Sequence, residues 1–115
     1  MTDNGKFWEA ADKLLSSGKI IIDRPKGSRH PKYADLVYEL DYGYIDGTAS
    51  MDGAGIDVWC GTSGSGTVDA IIVTVDLGKR DSEIKLLVGC TESETEQVYE
   101  FHNRTELMRG MLIKR

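Results

Sequence analysis

The sequence predicts an α+β domain: a small β-barrel or curled sheet of about five or six strands, with a helix near each end packed against it. Three observations carry this expectation. Helical periodicity is confined to two stretches, residues 4–17 and 92–103. Between and after them, short β-branched or apolar runs alternate with breaks rich in Gly, Pro and Ser. At 115 residues the chain suits a single domain, residues 1–115, with one modest core.

The first helix follows from Phe7, Trp8, Ala11, Leu14 and Leu15, which share one face. Asn4 or Asp3 is placed to cap it, and Gly18 to end it in a left-handed turn. Lys19 to Arg24 is a β-branched run bounded by Gly18 and Pro25, and reads as a buried strand. Pro25 to Tyr33 is a loop with four potentially cationic side chains, which fits either a solvated turn or an anion-gripping loop. Leu36 to Leu40 reads as a short strand. Tyr38, Tyr42 and Tyr44 would then lie on one face of an extended chain. Ile56 to Cys60 is a further strand, and Gly61 to Thr67 a flexible connection. No Gly-Lys-Ser/Thr follows it, so it is not a phosphate-binding P-loop.

Val68 to Leu77 and Glu83 to Cys90 form an antiparallel hairpin around Gly78 to Ser82, with Asp76, Asp81 and Glu83 near its turn. Thr91-Glu92-Ser93-Glu94 fits a capping box opening the second helix, which should bury Val98 and Phe101 or their neighbours. Met111 to Arg115 closes the chain as a strand or a helical tail.

Apolar residues make up 40% and charged residues 29%, a balance too apolar for disorder. A net charge of −5 argues against a general nucleic-acid binder but not against phosphate ligands, since a metal ion supplies positive charge. The N-terminus, Met1 to Lys6, has no apolar run of signal-peptide type, and no stretch reaches membrane-spanning length. Cys60 and Cys90 have no close Cys or His spacing and read as a pair of buried thiols. The expectation is a cytoplasmic protein with no nucleic-acid or membrane partner. A free edge strand makes a homo-oligomer plausible.

The chemistry centres on the turn from Asp52 to Asp57. Two carboxylates flank Gly53-Ala54-Gly55, and the second leads straight into a strand. Mg²⁺ is held by one or two carboxylates plus substrate phosphates, and such a turn presents them. Asp-Gly is equally an ordinary hairpin turn pair.

The surrounding motifs narrow the choice. Ile22-Asp23-Arg24-Pro25-Lys26-Gly27-Ser28-Arg29, closed by Lys32-Tyr33, resembles the I-E-I-P-K-G-S-R and K-Y-E runs of the soluble, metal-dependent inorganic pyrophosphatases. Tyr42-Gly43-Tyr44-Ile45 with Gly47-Thr48 is similar to that family's Y-G-F/Y-I-x-G-T. Asp52-Gly53-Ala54-Gly55-Ile56-Asp57-Val58 resembles its D-G-D-P-x-D-V signature, and Glu83-Ile84-Lys85-Leu86 stands where it has D-x-K-I/L.

The resemblance spans residues 20 to 90 in the right order, and implies an OB-like barrel and hydrolysis of pyrophosphate to two phosphates with Mg²⁺, Mn²⁺ being an alternative. It implies Asp52, Asp57, Glu83 and Asp76 or Asp81 as metal ligands. Lys32, Arg29, Tyr38, Tyr42 and Lys85 are implied as substrate-binding residues, with Asp57, Lys32 and Tyr42 catalytic. The chain departs from the family in four places. Ala54 replaces the middle aspartate, which positions and deprotonates the attacking water, and Ala34 follows Lys32-Tyr33 in place of a glutamate. The family's phosphate-binding Arg between Lys32 and Tyr42 is missing, with Arg24 or Arg29 as substitutes. Near the C-terminus, Asn103-Arg104 stands for a Tyr-Lys pair. The expected function is Mg²⁺-dependent pyrophosphate hydrolysis. The alternatives are a phosphate- and metal-binding module with little turnover, a hydrolase of another phosphoanhydride and, least favoured, a nucleic-acid-binding barrel.

Overall fold

Two helices and six strands follow one another as α1 (Gly5–Ser16), β1 (Ile20–Arg24), β2 (Asp41–Ile45), β3 (Ile56–Cys60), β4 (Val68–Asp76), β5 (Asp81–Val88), α2 (Glu92–Phe101) and β6 (Met108–Lys114). The structure is a computed structural model describing residues 3–115. Met1 and Thr2, read with the N-terminus as lacking a signal peptide, lie outside the described residues. No helix among the described residues is long and apolar enough to cross a membrane.

The strands form one mixed sheet in the order β1-β2-β3-β5-β4-β6. Every ladder is antiparallel except β3 with β5, which run parallel. No ladder among the described residues joins β1 to β6, so the expected barrel is an open sheet. Alternation along the strands splits the apolar residues between its two faces. On one face Trp8, Ala11 and Leu15 of α1 pack on Ile45, Val58, Ile71 and Leu86. On the other, Val98 of α2 packs with Tyr38, Tyr42, Trp59, Ile72 and Leu87. One modest core was expected; the sheet instead carries a layer on each side. The helices cover opposite faces because apolar side chains alternate through β3 and β5.

Several local expectations change. Gly5 N–H is capped by Asp3 (2.9 Å), while Asn4 makes no side-chain cap. Helix α1 ends at Ser17, in ordinary helical conformation, and Gly18 serves a different need. A Cβ there would lie 2.2 Å from the Asp46 carbonyl oxygen, so glycine lets the chain enter β1 against the β2 turn. Phe7 and Leu14 sit on the exposed edge of the helix stripe.

Strand β1 is an edge strand with Ile21 and Ile22 exposed, rather than a buried one. Gly43 brings it close to β2, since a Cβ at that position would fall 1.8 Å from the Ile21 carbonyl oxygen. Leu36 to Leu40 is not a strand; a single bridge, Arg29 to Val37, folds it back on the cationic loop. Gly61 to Thr67 is fastened rather than loose. Thr62 donates through N–H and hydroxyl to the Glu94 carboxylate, and Ser63 N–H to the Gly89 carbonyl.

The capping box at Thr91 and Glu94 forms as expected, and α2 stops at Phe101. Asn103 follows, and its side-chain amide both donates to and accepts from the Gly110 backbone (3.1 Å each). This closes part of the β6 edge against strand pairing. Cys60 and Cys90 are free and partly buried. Burial raises both thiols, Cys90 to about 12, leaving them protonated and unreactive at neutral pH.

His102 is buried and accepts the Trp59 indole N–H at Nε2 (3.1 Å). Burial, then the Lys85 charge, push its pKa down to about 3. In the unfolded chain it returns to about 6.5. The unfolded state therefore binds the extra proton between these values, and stability falls as pH drops through that window. The slope is up to about 1.4 kcal/mol per pH unit. Urea midpoints of the wild type should drop between about pH 7 and pH 5, more steeply than those of His102→Gln. Equal slopes would contradict the neutral, buried assignment.

Candidate active site

The register of the sheet assembles the site. Val58 lies beside Leu86 in the parallel β3–β5 pair, so Asp57 and Lys85, one residue earlier on each strand, are neighbours on the opposite face. Antiparallel pairing of β2 with β3 sets Tyr42 against Trp59 and Tyr44 against Asp57. Glu83 is two residues before Lys85 and shares its face.

Lys85 is the hub. Its ammonium donates to Asp57 Oδ2 (2.7 Å), Glu83 Oε2 (2.9 Å) and the Tyr42 hydroxyl (3.0 Å). Those three acceptors match its three donors. The side chains of Lys85, Glu83 and Asp57 are 8%, 13% and 26% exposed, so the cluster is largely desolvated with Asp57 at its open side. Burial alone would drive Lys85 toward its neutral form, but Tyr42 and Asp57 outweigh it and the net shift is upward. Burial pushes Tyr42 up as well, so it remains a neutral phenol. The Asp57 carboxylate is therefore the charge that keeps Lys85 protonated, with Glu83 as its second counter-ion.

Tyr42 connects this cluster to an aromatic and cationic wall. Its ring lies 5.3 Å from that of Tyr38. Arg24 donates through Nη1 to the Tyr38 hydroxyl, and its guanidinium stands 5.4 Å from the Tyr38 ring centre and 5.8 Å from that of Tyr42. The His30 ring stacks on Tyr38 at 6.2 Å. Burial, followed by the charges of Arg24, Lys79 and Lys32, lowers the His30 pKa. The three positive charges disfavour protonation of the imidazole. The loop from Pro25 holds this shape because Gly27 N–H donates to the Tyr38 carbonyl and Tyr38 N–H to that of Ser28.

The remaining expected residues separate into near and far. Asp52 accepts from Ser50 Oγ (2.7 Å) and Ala54 N–H (3.0 Å). Those two bonds lower its pKa against burial. Asp52 is thus held within its own turn by Ser50 and Ala54. Asp81 lies two residues before Glu83 and lines a groove together with Asp52. Lys32 is exposed, and its backbone N–H donates to His30 Nδ1 (3.0 Å). Arg29 turns back on its own loop, donating to the Ala34 carbonyl (2.8 Å). Of the two candidate substitutes for the missing arginine, Arg24 is the one against Tyr38 and Tyr42. Asn103 is engaged with β6 rather than the cluster.

His30 and Lys79 were missed from the sequence, since one sits in the loop and the other in the β4–β5 turn. Only the positive charge of the loop hinted at the first.

Among the described residues, no three His, Cys, Asp or Glu side chains are grouped to hold a metal ion by themselves. Mg²⁺ needs no such cage, because water and substrate phosphates complete its shell around one or two carboxylates. Asp57 is open to solvent and Lys85 engages only its Oδ2, while Asp52 is exposed in the turn before β3. These residues fit an ion completed by substrate. Glu83 is the less available ligand, being the second counter-ion of Lys85.

No protein-family model matches the chain, and no curated protein matches it. Among solved structures, the chain is similar to an inorganic pyrophosphatase from Neisseria gonorrhoeae, with 18% identity and a TM-score of 0.53, over 84% of this chain and 75% of that one. The fold is thus pyrophosphatase-like; at this identity the likeness is one of fold alone.

Proposed function

We propose that the protein is a Mg²⁺-dependent phosphoanhydride hydrolase acting on inorganic pyrophosphate. The observation that carries this reading is the Asp57–Lys85–Glu83–Tyr42 cluster, facing Arg24, on a pyrophosphatase-like fold. Asp57 and Asp52 would hold the ion, which when bound neutralises phosphate charge and lowers the pKa of water. The protein's own groups do the rest. Lys85, its three donors held by Asp57, Glu83 and Tyr42, supplies a fixed positive charge beside the phosphates rather than a direct hydrogen bond, and such a preorganised charge stabilises the anion that develops on the leaving phosphate. Tyr42, neutral, donates a hydrogen bond at the same place. Arg24, held by Tyr38, supplies a forked donor for the second phosphate. Lys32 and Lys79 add positive field at the mouth.

Ala54 favours a second reading, binding with slow turnover. Its methyl group stands in the Asp52–Asp57 turn where the resemblance implies a water-activating carboxylate, and it is exposed. Ala54→Asp is therefore expected to raise the rate of phosphate release from pyrophosphate by about tenfold or more. An unchanged or lower rate would show that this site activates water differently. Calorimetric titration with pyrophosphate tests the grip itself. Binding should require Mg²⁺ and weaken when Asp57 is replaced by Ala; metal-independent binding would overturn the assignment of Asp57 and Asp52.

A further inference from the structure

The two edges of the sheet differ. Strand β6 has the Asn103 amide bonded to the Gly110 backbone, whereas among the described residues no strand pairs with the outer side of β1. The Asp46 N–H donates to the Lys19 carbonyl (2.8 Å), so Lys19 and, two residues on, Ile21 direct their backbone groups at β2. By the same alternation Ile20 and Ile22 direct theirs outward. The Ile21 and Ile22 side chains are 36% and 38% exposed. An open edge carrying apolar side chains is a template for pairing with another chain.

The charges along this edge select the partner. Lys19-Ile20-Ile21-Ile22-Asp23 carries opposite charges at its two ends around an isoleucine run. Laid antiparallel on a second copy with Ile21 opposite Ile21, it sets Lys19 of each copy against Asp23 of the other. Ile20 then faces Ile22 as the hydrogen-bonded pair, N–H to C=O in both directions, which uses the groups that β1 directs outward. Lys19 with Asp23, and Ile21 with its own image, fall at the non-hydrogen-bonded positions, where side chains come closest. A slip of register by one or two residues loses both charge pairs. Lys19 and Asp23 are exposed, and among the described residues neither is in an ion pair. The bulge between Ile22 and Arg24 ends the regular stretch, so the ladder is short.

We propose that β1 pairs antiparallel with β1 of a second copy about a twofold axis, with Lys19–Asp23 ion pairs at both ends of the ladder. The contact is isologous, each patch meeting its own image, so it closes as a dimer instead of extending into fibres. It joins two six-stranded sheets edge to edge and sets the Asp57–Lys85 faces of both copies on the same side. A ladder this short belongs to the small, transient class of interfaces, below the ~1,600 Å² of a standard one.

Analytical ultracentrifugation of the purified protein tests this, at concentrations up to about 1 mM, the weak end of specific association. The expected result is a monomer–dimer equilibrium. Lys19→Glu and Asp23→Lys, both at exposed positions, should each raise the dimer dissociation constant by about tenfold or more, because like charges then face one another at both ends. Mixing the two variants should restore association, since one carries two negative charges along the edge and the other two positive ones. Recovery on mixing also shows that neither variant lost the dimer by misfolding. A monomer throughout, a dimer that neither substitution weakens, or no recovery on mixing overturns the pairing. Assemblies that keep growing with concentration would mean head-to-tail edge contacts and overturn the twofold arrangement.

Discussion

Asp57→Asn is expected to reduce Mg²⁺-dependent phosphate release by about a hundredfold or more while the chain stays folded. The amide keeps the shape of the carboxylate, so the β3–β5 register and the packing around Val58 and Leu86 are preserved. Two things are lost with the charge. Asp57 is the most exposed carboxylate of the cluster, and in the proposed reading it holds the ion together with substrate. It is also the group that keeps Lys85 protonated. Steady-state assays beside circular dichroism separate these effects from unfolding. A variant retaining most of the activity would move the site away from β3.

Lys85→Met should be the most destabilising single change in the site, costing roughly 3–5 kcal/mol near neutral pH. Met fills a similar volume, so the loss is electrostatic rather than a cavity. Asp57 and Glu83 each bond the same ammonium, and without it two partly buried carboxylates face one another with no cation between them. Adding Glu83→Gln to Lys85→Met should recover part of the loss, because one of the two unpaired charges is then gone. Urea denaturation of the single and double variants measures both. A cost below about 1 kcal/mol for Lys85→Met would mean that Lys85 swings out to solvent, and the hub would not exist.

Much of the fold was legible because its signals are local. The capping box at Thr91 and Glu94, the β4–β5 hairpin and the α1 stripe each depend on residues close in sequence. The errors arise where distant pairing decides. The exposure of β1 follows from its place at the sheet edge, which Ile20-Ile21-Ile22 does not reveal. Gly18 was read as a helix stop, but contact with Asp46, far along the chain, sets its role.

The same division holds for the site. Strand alternation alone sets Glu83 and Lys85 on one face. Their meeting with Asp57 needs the parallel β3–β5 pairing, and no local pattern announces a crossover past β4. The sequence makes Arg29 the arginine expected to bind substrate, with Arg24 only an alternative substitute for the missing one. They differ because Arg29 is drawn to the Ala34 carbonyl of its own loop, while Arg24, at the end of β1, lies against Tyr38 and Tyr42.

Phosphate release from pyrophosphate by the purified wild-type protein, followed with Mg²⁺ and again with excess chelator, tests the central claim most directly. Steady release with Mg²⁺ that stops on chelation is the result predicted from the Asp57–Lys85 cluster. Pyrophosphate bound in the presence of Mg²⁺ but left intact over hours would contradict hydrolysis and make the protein a binding module.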